Sequence, residues 1–311
     1  MDQQKRSMHL AVLGSGECSV SIGALHYIRN ADKHVAGFMG TSILKGLLNT
    51  QSTPSDGLEL SYTACVRSDA SLDRLRQALD QNASKVSCQT GCFAESAQKA
   101  DIVMLGVPPG ELEPFSKTPG LAEALRGKLI VSLLAGVSCT QVAAAFATQG
   151  GREQDYLLNV TRVIPTIAAQ VKDSVSLLAE SDAIDAGQQK LCTTLFRRIG
   201  TVQHLPEALM NEATATGAVC HAIAISAVDA AVDASVAKGL PRAAALSLAA
   251  NSLRSAAGLL GGEMTPEQLK AAMSVPSGIT INSMVKLDRA NLRYAVADTV
   301  GEAIDYTRSM A

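Results

Sequence analysis

Two glycine-containing stretches decide the fold of this chain, and they are Leu10-Ala11-Val12-Leu13-Gly14-Ser15-Gly16 and Gly37-Phe38-Met39-Gly40. The first predicts a buried β-strand that runs into a tight turn, and the second predicts the start of an apolar helix over residues 39–48. Without residues 17–37, the two stretches would join in the G-x-G-x-x-G spacing of a dinucleotide-binding turn, in which glycines let the backbone approach a pyrophosphate. We therefore predict that a dinucleotide is bound by Gly14, Ser15, Gly16, Phe38, Met39 and Gly40.

Residues 17–37 interrupt this pattern, and two interpretations of their origin remain open. Connections between a strand and a helix usually contain about two to six residues, so a loop of this length inside the turn should obstruct a cofactor. Residues 16–18 can be encoded with a eukaryotic splice-donor sequence, residues 36–37 with an acceptor, and residues 31–32 with a branch-point sequence. We interpret the segment as a retained intron, and a loop specific to a protein family is the alternative.

The composition describes a chain that can bury a large core. It has 311 residues, of which 47% are hydrophobic and only 3% aromatic, so Ala, Val, Leu and Ile must build the interior. That composition suits buried parallel strands and closely packed helices. The formal net charge of −2 offers no basic face to nucleic acid or to a membrane surface. The N-terminal residues resemble no signal peptide, no apolar run predicts a membrane span, and we expect a cytoplasmic protein.

Cysteine and histidine spacing predicts no metal site. The seven cysteines are scattered along the chain, and the close pair Cys88 and Cys92 lacks the second pair or the histidines that a zinc site requires. The five histidines also stand at spacings that do not suit a metal ion. We therefore expect reduced, structural thiols.

Strand and helix patterns alternate through the first half of the chain. Strands are predicted at 58–66, 101–107 and 129–135, and a helix at 71–79. Each strand ends near Gly, Pro or Ser, so their carboxyl ends should meet at one edge of the sheet, where open α/β sheets bind ligands. The fold class is therefore α/β, with an N-terminal Rossmann-like doubly wound sheet.

The second half of the chain predicts long Ala-rich helices, chiefly at 208–238 and 243–260. Apolar positions run almost all the way round them, so we expect a second copy of the chain to cover them in a homodimer or higher homo-oligomer. The predicted domains are a dinucleotide-binding domain at residues 1–172 and an all-α dimerisation and substrate domain at residues 173–311.

Arg67 and Ser68 stand where the second strand ends, which is the position that reads the adenosine ribose. An acidic residue there would accept a hydrogen bond from a 2′-hydroxyl, whereas Arg and Ser suit a 2′-phosphate. We therefore predict NADPH as the cofactor, with NADH as the alternative.

Four further motifs and the rejoined fingerprint carry a resemblance to a known family. The four motifs are Ser132-Leu133-Leu134-Ala135-Gly136-Val137, Asn159-Val160-Thr161-Arg162-Val163-Ile164-Pro165-Thr166-Ile167-Ala168-Ala169, Lys238-Gly239-Leu240-Pro241-Arg242 and Val275-Pro276-Ser277-Gly278-Ile279-Thr280-Ile281-Asn282-Ser283. Together they resemble pyrroline-5-carboxylate reductase of a fungal type, over nearly the whole chain outside residues 17–37. The resemblance implies hydride transfer from NAD(P)H to a cyclic C=N bond, which converts 1-pyrroline-5-carboxylate to L-proline in proline biosynthesis.

The resemblance also implies roles for individual residues. Similar enzymes place the motif at 276–280 in an active site between two protomers. Thr280 would then be the catalytic residue that donates a hydrogen bond to the imine, and backbone N–H groups at Ser277 and Gly278 would hold the substrate carboxylate. Pro276 and Thr216 are the other implied substrate-binding residues. The implied additional cofactor-binding residues are Val107, Pro108, Ala135 and Pro165.

Several positions depart from the family pattern and leave other functions open. The family's usual Met-Pro-Asn is Ile164-Pro165-Thr166 here, and its usual Ser-Gly-Ser-Gly-Pro is Thr214-Ala215-Thr216-Gly217-Ala218. A reductase of a modified pyrroline carboxylate in secondary metabolism is therefore one alternative, and a catalytically inactive NADP-binding paralogue is another. A β-hydroxyacid or 6-phosphogluconate-type dehydrogenase should carry a catalytic Lys followed by Asn on the first long C-terminal helix, and residues 214–231 contain neither.

Overall fold

A computed structural model describes residues 6–14, 38–50, 57–147, 158–262 and 264–310 of the chain. Ser15, Gly16 and the insert at 17–37 lie outside the described residues. Within them, an eight-stranded sheet has the order β3-β2-β1-β4-β5-β6-β7-β8. The strands are β1 Arg6–Leu13, β2 Leu58–Val66, β3 Val86–Thr90, β4 Ile102–Leu105, β5 Leu129–Ser132, β6 Asn159–Ile164, β7 Ser174–Glu180 and β8 Gly200–Pro206.

The first six strands are parallel, β7 runs antiparallel to β6, and β8 is parallel to β7. The helices that accompany the sheet are α1 Phe38–Leu48, α2 Asp69–Leu79, α3 Phe93–Lys99, α4 Leu112–Ser116, α5 Leu121–Ala124, α6 Cys139–Ala147 and α7 Ala186–Arg197. This is the doubly wound, Rossmann-like arrangement that the sequence predicts.

Alternate residues of β1 reach the two sides of the sheet, as the two-residue period of a strand requires. Leu10 and Val12 belong to a core cluster that also contains Ile43 of α1. Ala11 and Leu13 belong to a second cluster that also contains Phe146 of α6. A strand buried on both faces gives the continuous apolar run that marks β1 in the sequence.

A second compact unit comprises residues Glu212–Tyr306, whereas the sheet unit comprises Met1–Asn211 and Thr307–Ala311. The C-terminal helices are α8 Met210–Ala237, α9 Arg242–Leu260, α10 Pro266–Met273, α11 Ile279–Arg289 and α12 Leu292–Ser309. The division therefore falls after Asn211 and not at 172, because β7 pairs with β6 and β8 pairs with β7. These pairings place residues 174–206 in the sheet unit.

The α8 and α9 helices expose apolar side chains in the single chain. Ile225 is 70% exposed and Leu248 is 60% exposed, which agrees with apolar positions on every side of these helices. By length and composition alone, Glu207–Ala237 could cross a membrane, which the sequence analysis did not predict. The same test is also passed by core helices of soluble proteins.

Candidate functional site

The carboxyl ends of β2 and β4 flank that of β1 and are joined to it by backbone hydrogen bonds. The Gly14 N–H donates to the carbonyl of Cys65 in β2 at 3.0 Å, and the Gly106 N–H donates to the carbonyl of Leu13 at 2.7 Å. Gly14, Gly40 and Gly106 line a shallow concavity with apolar residues of β1, β2 and α1. Among the described residues, three glycines thus meet mostly apolar side chains at the C-terminal end of β1, on the side where an open α/β sheet binds ligands.

Gly40 brings α1 into close contact with β1. A Cβ atom on Gly40 would come within 2.8 Å of Val12 Cγ1, so only glycine fits this spacing. Phe38 begins the helix and is 38% exposed, while Met39 is half-buried. This geometry suits the third glycine of a dinucleotide-binding turn, whose role is close packing of helix on strand, with the helix N-terminus directed at a phosphate.

Arg67 and Ser68 follow β2 as predicted, and the structure gives each a local partner. The Ser68 hydroxyl caps α2 by accepting a hydrogen bond from the Ser71 N–H at 3.3 Å. The Arg74 guanidinium donates to the Ser71 hydroxyl at 3.1 Å, while its buried Nε has no hydrogen-bond partner among the described residues. Arg74 was not predicted from the sequence, although its position seven residues after Arg67, in the second turn of α2, was a signal that the sequence offered.

A carboxylate, that of Glu111, lies beside Arg67 at the end of β2. Glu111, in a 3₁₀ turn at Pro109–Glu111 after β4, accepts a hydrogen bond from Arg67 Nη2 at 2.9 Å. Both side chains are about half exposed, at 52% for Arg67 and 42% for Glu111. This contact was not predictable from the sequence, because the two residues are brought together only by the order of the strands.

The other predicted cofactor contacts follow β4, β5 and β6. Val107 is buried and Pro108 precedes the turn that carries Glu111. Ala135 precedes Gly136, which has a φ of +78° that favours glycine. Pro165 is buried directly after β6. All four therefore lie at the carboxyl edge of the sheet, along with Gly14.

A buried charged group that the sequence analysis missed lies at the same edge. Arg162 of β6 is 2% exposed, and its Nη2 donates to Asn211 Oδ1 at 2.8 Å. Burial lowers the pKa of the Arg162 guanidinium, and the neighbouring Glu207 carboxylate opposes that shift. Glu207 also accepts a hydrogen bond from the Cys139 N–H at 2.6 Å. Burial, with a contribution from Glu207, raises the pKa of the Cys139 thiol to about 12, so this thiol stays protonated and unreactive.

In the helical unit, residues 275–280 form a tight turn that leads into α11. Ser277 has a φ of +59°, and the Gly278 N–H donates to the Val275 carbonyl at 2.9 Å. The Gly278 N–H is therefore engaged within the turn, whereas the sequence analysis assigned it, together with the Ser277 N–H, to a substrate carboxylate. The N–H groups of Ile279 and Thr280, in the first turn of α11, have no acceptor within the helix.

Thr280 is half-buried, and its hydroxyl has no hydrogen-bond partner among the residues that the structure describes. Pro276 and Ser277 are exposed beside it. Thr216 lies on α8, is exposed, and donates its hydroxyl to the Glu212 carbonyl at 2.8 Å. Within the described ranges, no hydrogen bond joins Thr216 to the 275–280 turn, and no group of His, Cys, Asp and Glu could hold a metal ion.

Two protein families match parts of the chain. Residues 207–310 match the family described as pyrroline-5-carboxylate reductase dimerisation. Residues 36–136 match the family described as NADP oxidoreductase, coenzyme F420-dependent, from the point where the second half of the split fingerprint begins. The dimerisation match covers the helices whose apolar side chains are exposed in the single chain, and it identifies the protein as a homo-oligomer.

Individual relatives match this chain over most of their length. A pyrroline-5-carboxylate reductase from Lophium arboricola is 34% identical over 283 residues, which cover 86% of this chain and 88% of that protein. One from Neurospora crassa is 32% identical over 293 residues, with the same coverage of 86% and 88%. The crystal structure of Plasmodium falciparum pyrroline carboxylate reductase with NADP bound has the same fold, with a TM-score of 0.74, 18% identity and coverage of 99% of both chains. On its sequence and its fold, this chain belongs to the pyrroline-5-carboxylate reductase family.

Proposed function

We propose that this protein reduces 1-pyrroline-5-carboxylate to L-proline with NADPH, as an NAD(P)-dependent oxidoreductase that acts on a CH–NH bond. The observation that carries the proposal is the 34% identity to a pyrroline-5-carboxylate reductase over 86% of the chain. The contact of Gly40 with Val12 supports it, because a helix packed this closely on β1 leaves backbone space for a pyrophosphate.

The sheet unit holds and orients the cofactor in this proposal. When bound, NADPH supplies a hydride to the imine carbon. Gly14, Gly40 and the N-terminus of α1 face its phosphates, and Arg67 holds the 2′-phosphate, with the Ser68 hydroxyl nearby. Val107, Pro108, Ala135 and Pro165 line the remaining length of the dinucleotide. Because hydride transfer needs no strong general acid when a cyclic imine arrives protonated, the main task of these residues is positioning.

The helical unit supplies the groups for the substrate. Thr280 has a hydroxyl without a partner among the described residues, and we assign it the hydrogen bond with the ring nitrogen of the substrate, in which the hydroxyl oxygen accepts from the N–H of the protonated imine. The N–H groups of Ile279 and Thr280 at the start of α11 suit the substrate carboxylate, because a helix N-terminus attracts an anion. Pro276, Ser277 and Thr216 would shape the walls of the site. A dimer in the cytoplasm is the expected form of the homo-oligomer.

NADPH oxidation with pyrroline-5-carboxylate tests this function, and it should be measured on the full chain and on a variant that lacks residues 17–37. Activity confined to the shortened variant would support the reductase function and the retained-intron interpretation together. Activity in both would support the reductase and favour a genuine loop. Absence of activity in both would contradict the function and favour a non-catalytic NADP-binding paralogue.

A second substrate class is favoured by the surroundings of the 275–280 turn. Val275 is 59% exposed and Ile279 is 88% exposed, so two apolar side chains flank the groups assigned to the substrate. These side chains would accommodate an alkylated ring better than a more polar one. Comparison of kcat/KM for pyrroline-5-carboxylate and a methylated analogue tests this, since a preference for the methylated imine would point to secondary metabolism.

A further inference from the structure

The ion pair between Arg67 and Glu111 spans the end of β1. Arg67 follows β2, Glu111 follows β4, and β1 lies between these strands in the sheet. The 2.9 Å contact between Arg67 Nη2 and Glu111 Oε2 therefore connects the two sides of the edge at which Gly14 begins the phosphate-binding turn. A dinucleotide whose adenosine end lies between the β2 and β4 loops would meet this pair directly.

The pair occupies the guanidinium that the proposed function assigns to a 2′-phosphate. Both partners are about half exposed, and an ion pair of that kind is weak enough for a dianionic phosphate to displace the carboxylate. An uncharged ribose 2′-hydroxyl would leave the pair in place.

A second arginine, Arg74, also follows β2 and is connected to Ser68 through Ser71. Arg74 donates to the Ser71 hydroxyl at 3.1 Å, and Ser71 also contacts Ser68 at 3.0 Å between the two hydroxyl oxygens. The segment after β2 therefore carries two cations, Arg67 and Arg74, and two hydroxyls, together with the carboxylates of Asp69 and Asp73. Glu111 is the anion that the structure places in hydrogen-bonding contact with Arg67.

We infer that Glu111 is a specificity-determining residue that competes with the 2′-phosphate of NADPH for Arg67 and so narrows the preference for NADPH over NADH. The inference rests on the proposed use of NADPH, because it needs a 2′-phosphate at Arg67. Glu111 acts on the cofactor through Arg67 and takes no part in the hydride transfer.

Isothermal titration of the full chain, and of the variant that lacks residues 17–37, with adenosine 2′,5′-bisphosphate and with adenosine 5′-monophosphate tests the inference, since the two ligands differ only in the 2′-phosphate. We expect Glu111→Gln to bind the bisphosphate about two- to fivefold more tightly than the parent chain does, with an unchanged Kd for the monophosphate. The matched control is Glu113→Gln, which removes a carboxylate two residues away that pairs with Lys117 at 2.7 Å. This control removes the same charge and should leave both Kd values unchanged.

A double variant links the effect to Arg67. We expect Arg67→Gln and Arg67→Gln with Glu111→Gln to bind the bisphosphate equally, because Glu111 then has no cation to occupy. The inference is overturned if Glu111→Gln binds the bisphosphate no more tightly than the parent chain, or if the Kd values of both ligands change equally. It is also overturned if the effect persists without Arg67, or if neither the full chain nor the variant that lacks residues 17–37 binds the bisphosphate. The proposed function fails separately, if the bisphosphate binds as expected but pyrroline-5-carboxylate is not reduced.

Discussion

A Cβ atom on Gly40 would lie 2.8 Å from Cγ1 of Val12, so α1 is held against β1 at a distance that no larger residue permits. Val12 is buried and β-branched, and it has little freedom to move away. We predict that Gly40→Ala destabilises the fold by about 1–3 kcal/mol through overpacking and also weakens NADPH binding. Chemical denaturation and NADPH titration measure the two effects. Gly301→Ala is the control, because a Cβ on Gly301 would meet nothing within 4 Å, and a similar loss in this variant would contradict the explanation.

Replacement of Arg67 should change KM for NADPH and KM for NADH to different extents. We expect Arg67→Asp to raise KM for NADPH by about ten- to a hundredfold, as loss of a hydrogen bond to a charged group requires, and to change KM for NADH much less. Steady-state kinetics with both cofactors measure the ratio. Equal changes in the two KM values would remove Arg67 from the cofactor site.

Thr280 should affect turnover more than cofactor binding. We expect Thr280→Ala to lower kcat by about tenfold or more, equivalent to at least about 1.4 kcal/mol of transition-state stabilisation, while the Kd for NADPH is retained. Thr280→Ser keeps the hydroxyl and should restore most of the activity. Ser283→Ala is the control, because the Ser283 hydroxyl donates to the Ile279 carbonyl within the same helix. Full activity of Thr280→Ala would exclude the assigned role.

Arg162 should contribute strongly to stability because it is a buried cation. Arg162→Met removes the partner of Asn211 and leaves the Glu207 carboxylate without the opposite charge near it. We expect a loss of about 3–5 kcal/mol in the free energy of unfolding, which is typical when one member of a buried charged group is removed. Arg126→Met is the control, because Arg126 pairs with Glu123 at the surface and should lose less than about 1 kcal/mol. Losses of similar size in the two variants would contradict the prediction.

His9 should make the stability of the sheet unit depend on pH. Its ring nitrogens lie 2.7 Å from Ser61 Oγ and 2.9 Å from Thr63 Oγ1. Burial lowers the pKa of His9 below its ordinary value of 6.5, although the charge of Asp101 opposes this shift. Well above pH 6.5 the ring is neutral in both the folded and the unfolded chain. As the pH falls below that value, the unfolded chain takes up the proton first, so the free energy of unfolding decreases until the pH passes the lower pKa of the native state.

The check is denaturant unfolding from about pH 7.5 to about pH 5 on the parent chain and on His9→Gln. We expect the decrease below pH 6.5 to be smaller in the variant, which has no group to titrate there. Identical pH profiles for the two chains would show that His9 does not carry the effect.

The sequence predicts the parts of the fold whose pattern is local. The strand at Leu58–Val66 and the helix at Arg242–Leu260 agree with prediction to within a residue or two, because alternating apolar residues mark the strand and a helical period marks the helix. β8 was missed because it is an edge strand with largely exposed or half-exposed side chains, which leave no apolar run to read. Neither β7 nor β8 was predicted, and without them the sequence offered no reason to extend the first domain beyond residue 172.

The residues of the candidate site also fall into those that the sequence predicts and those that it does not. Gly14, Gly40 and Arg67 were predictable because their roles depend on a short motif or on the end of a strand. The contacts of Glu111 and Arg162 were not predictable, because their partners are distant in the sequence. The order of the strands in the sheet brings these partners together.

Gly46, further along α1, packs against the turn that follows β6. A Cβ on Gly46 would come within 2.7 Å of Ile199 Cγ2 and even closer to the Ala169 carbonyl, which lies in the 3₁₀ turn after Pro165. Helix and turn are thus in direct backbone contact. An insertion or deletion after β6 that shifts this turn would therefore also shift α1, the helix that begins at the phosphate site. The length of the segment after β6 is thus tied to the position of α1.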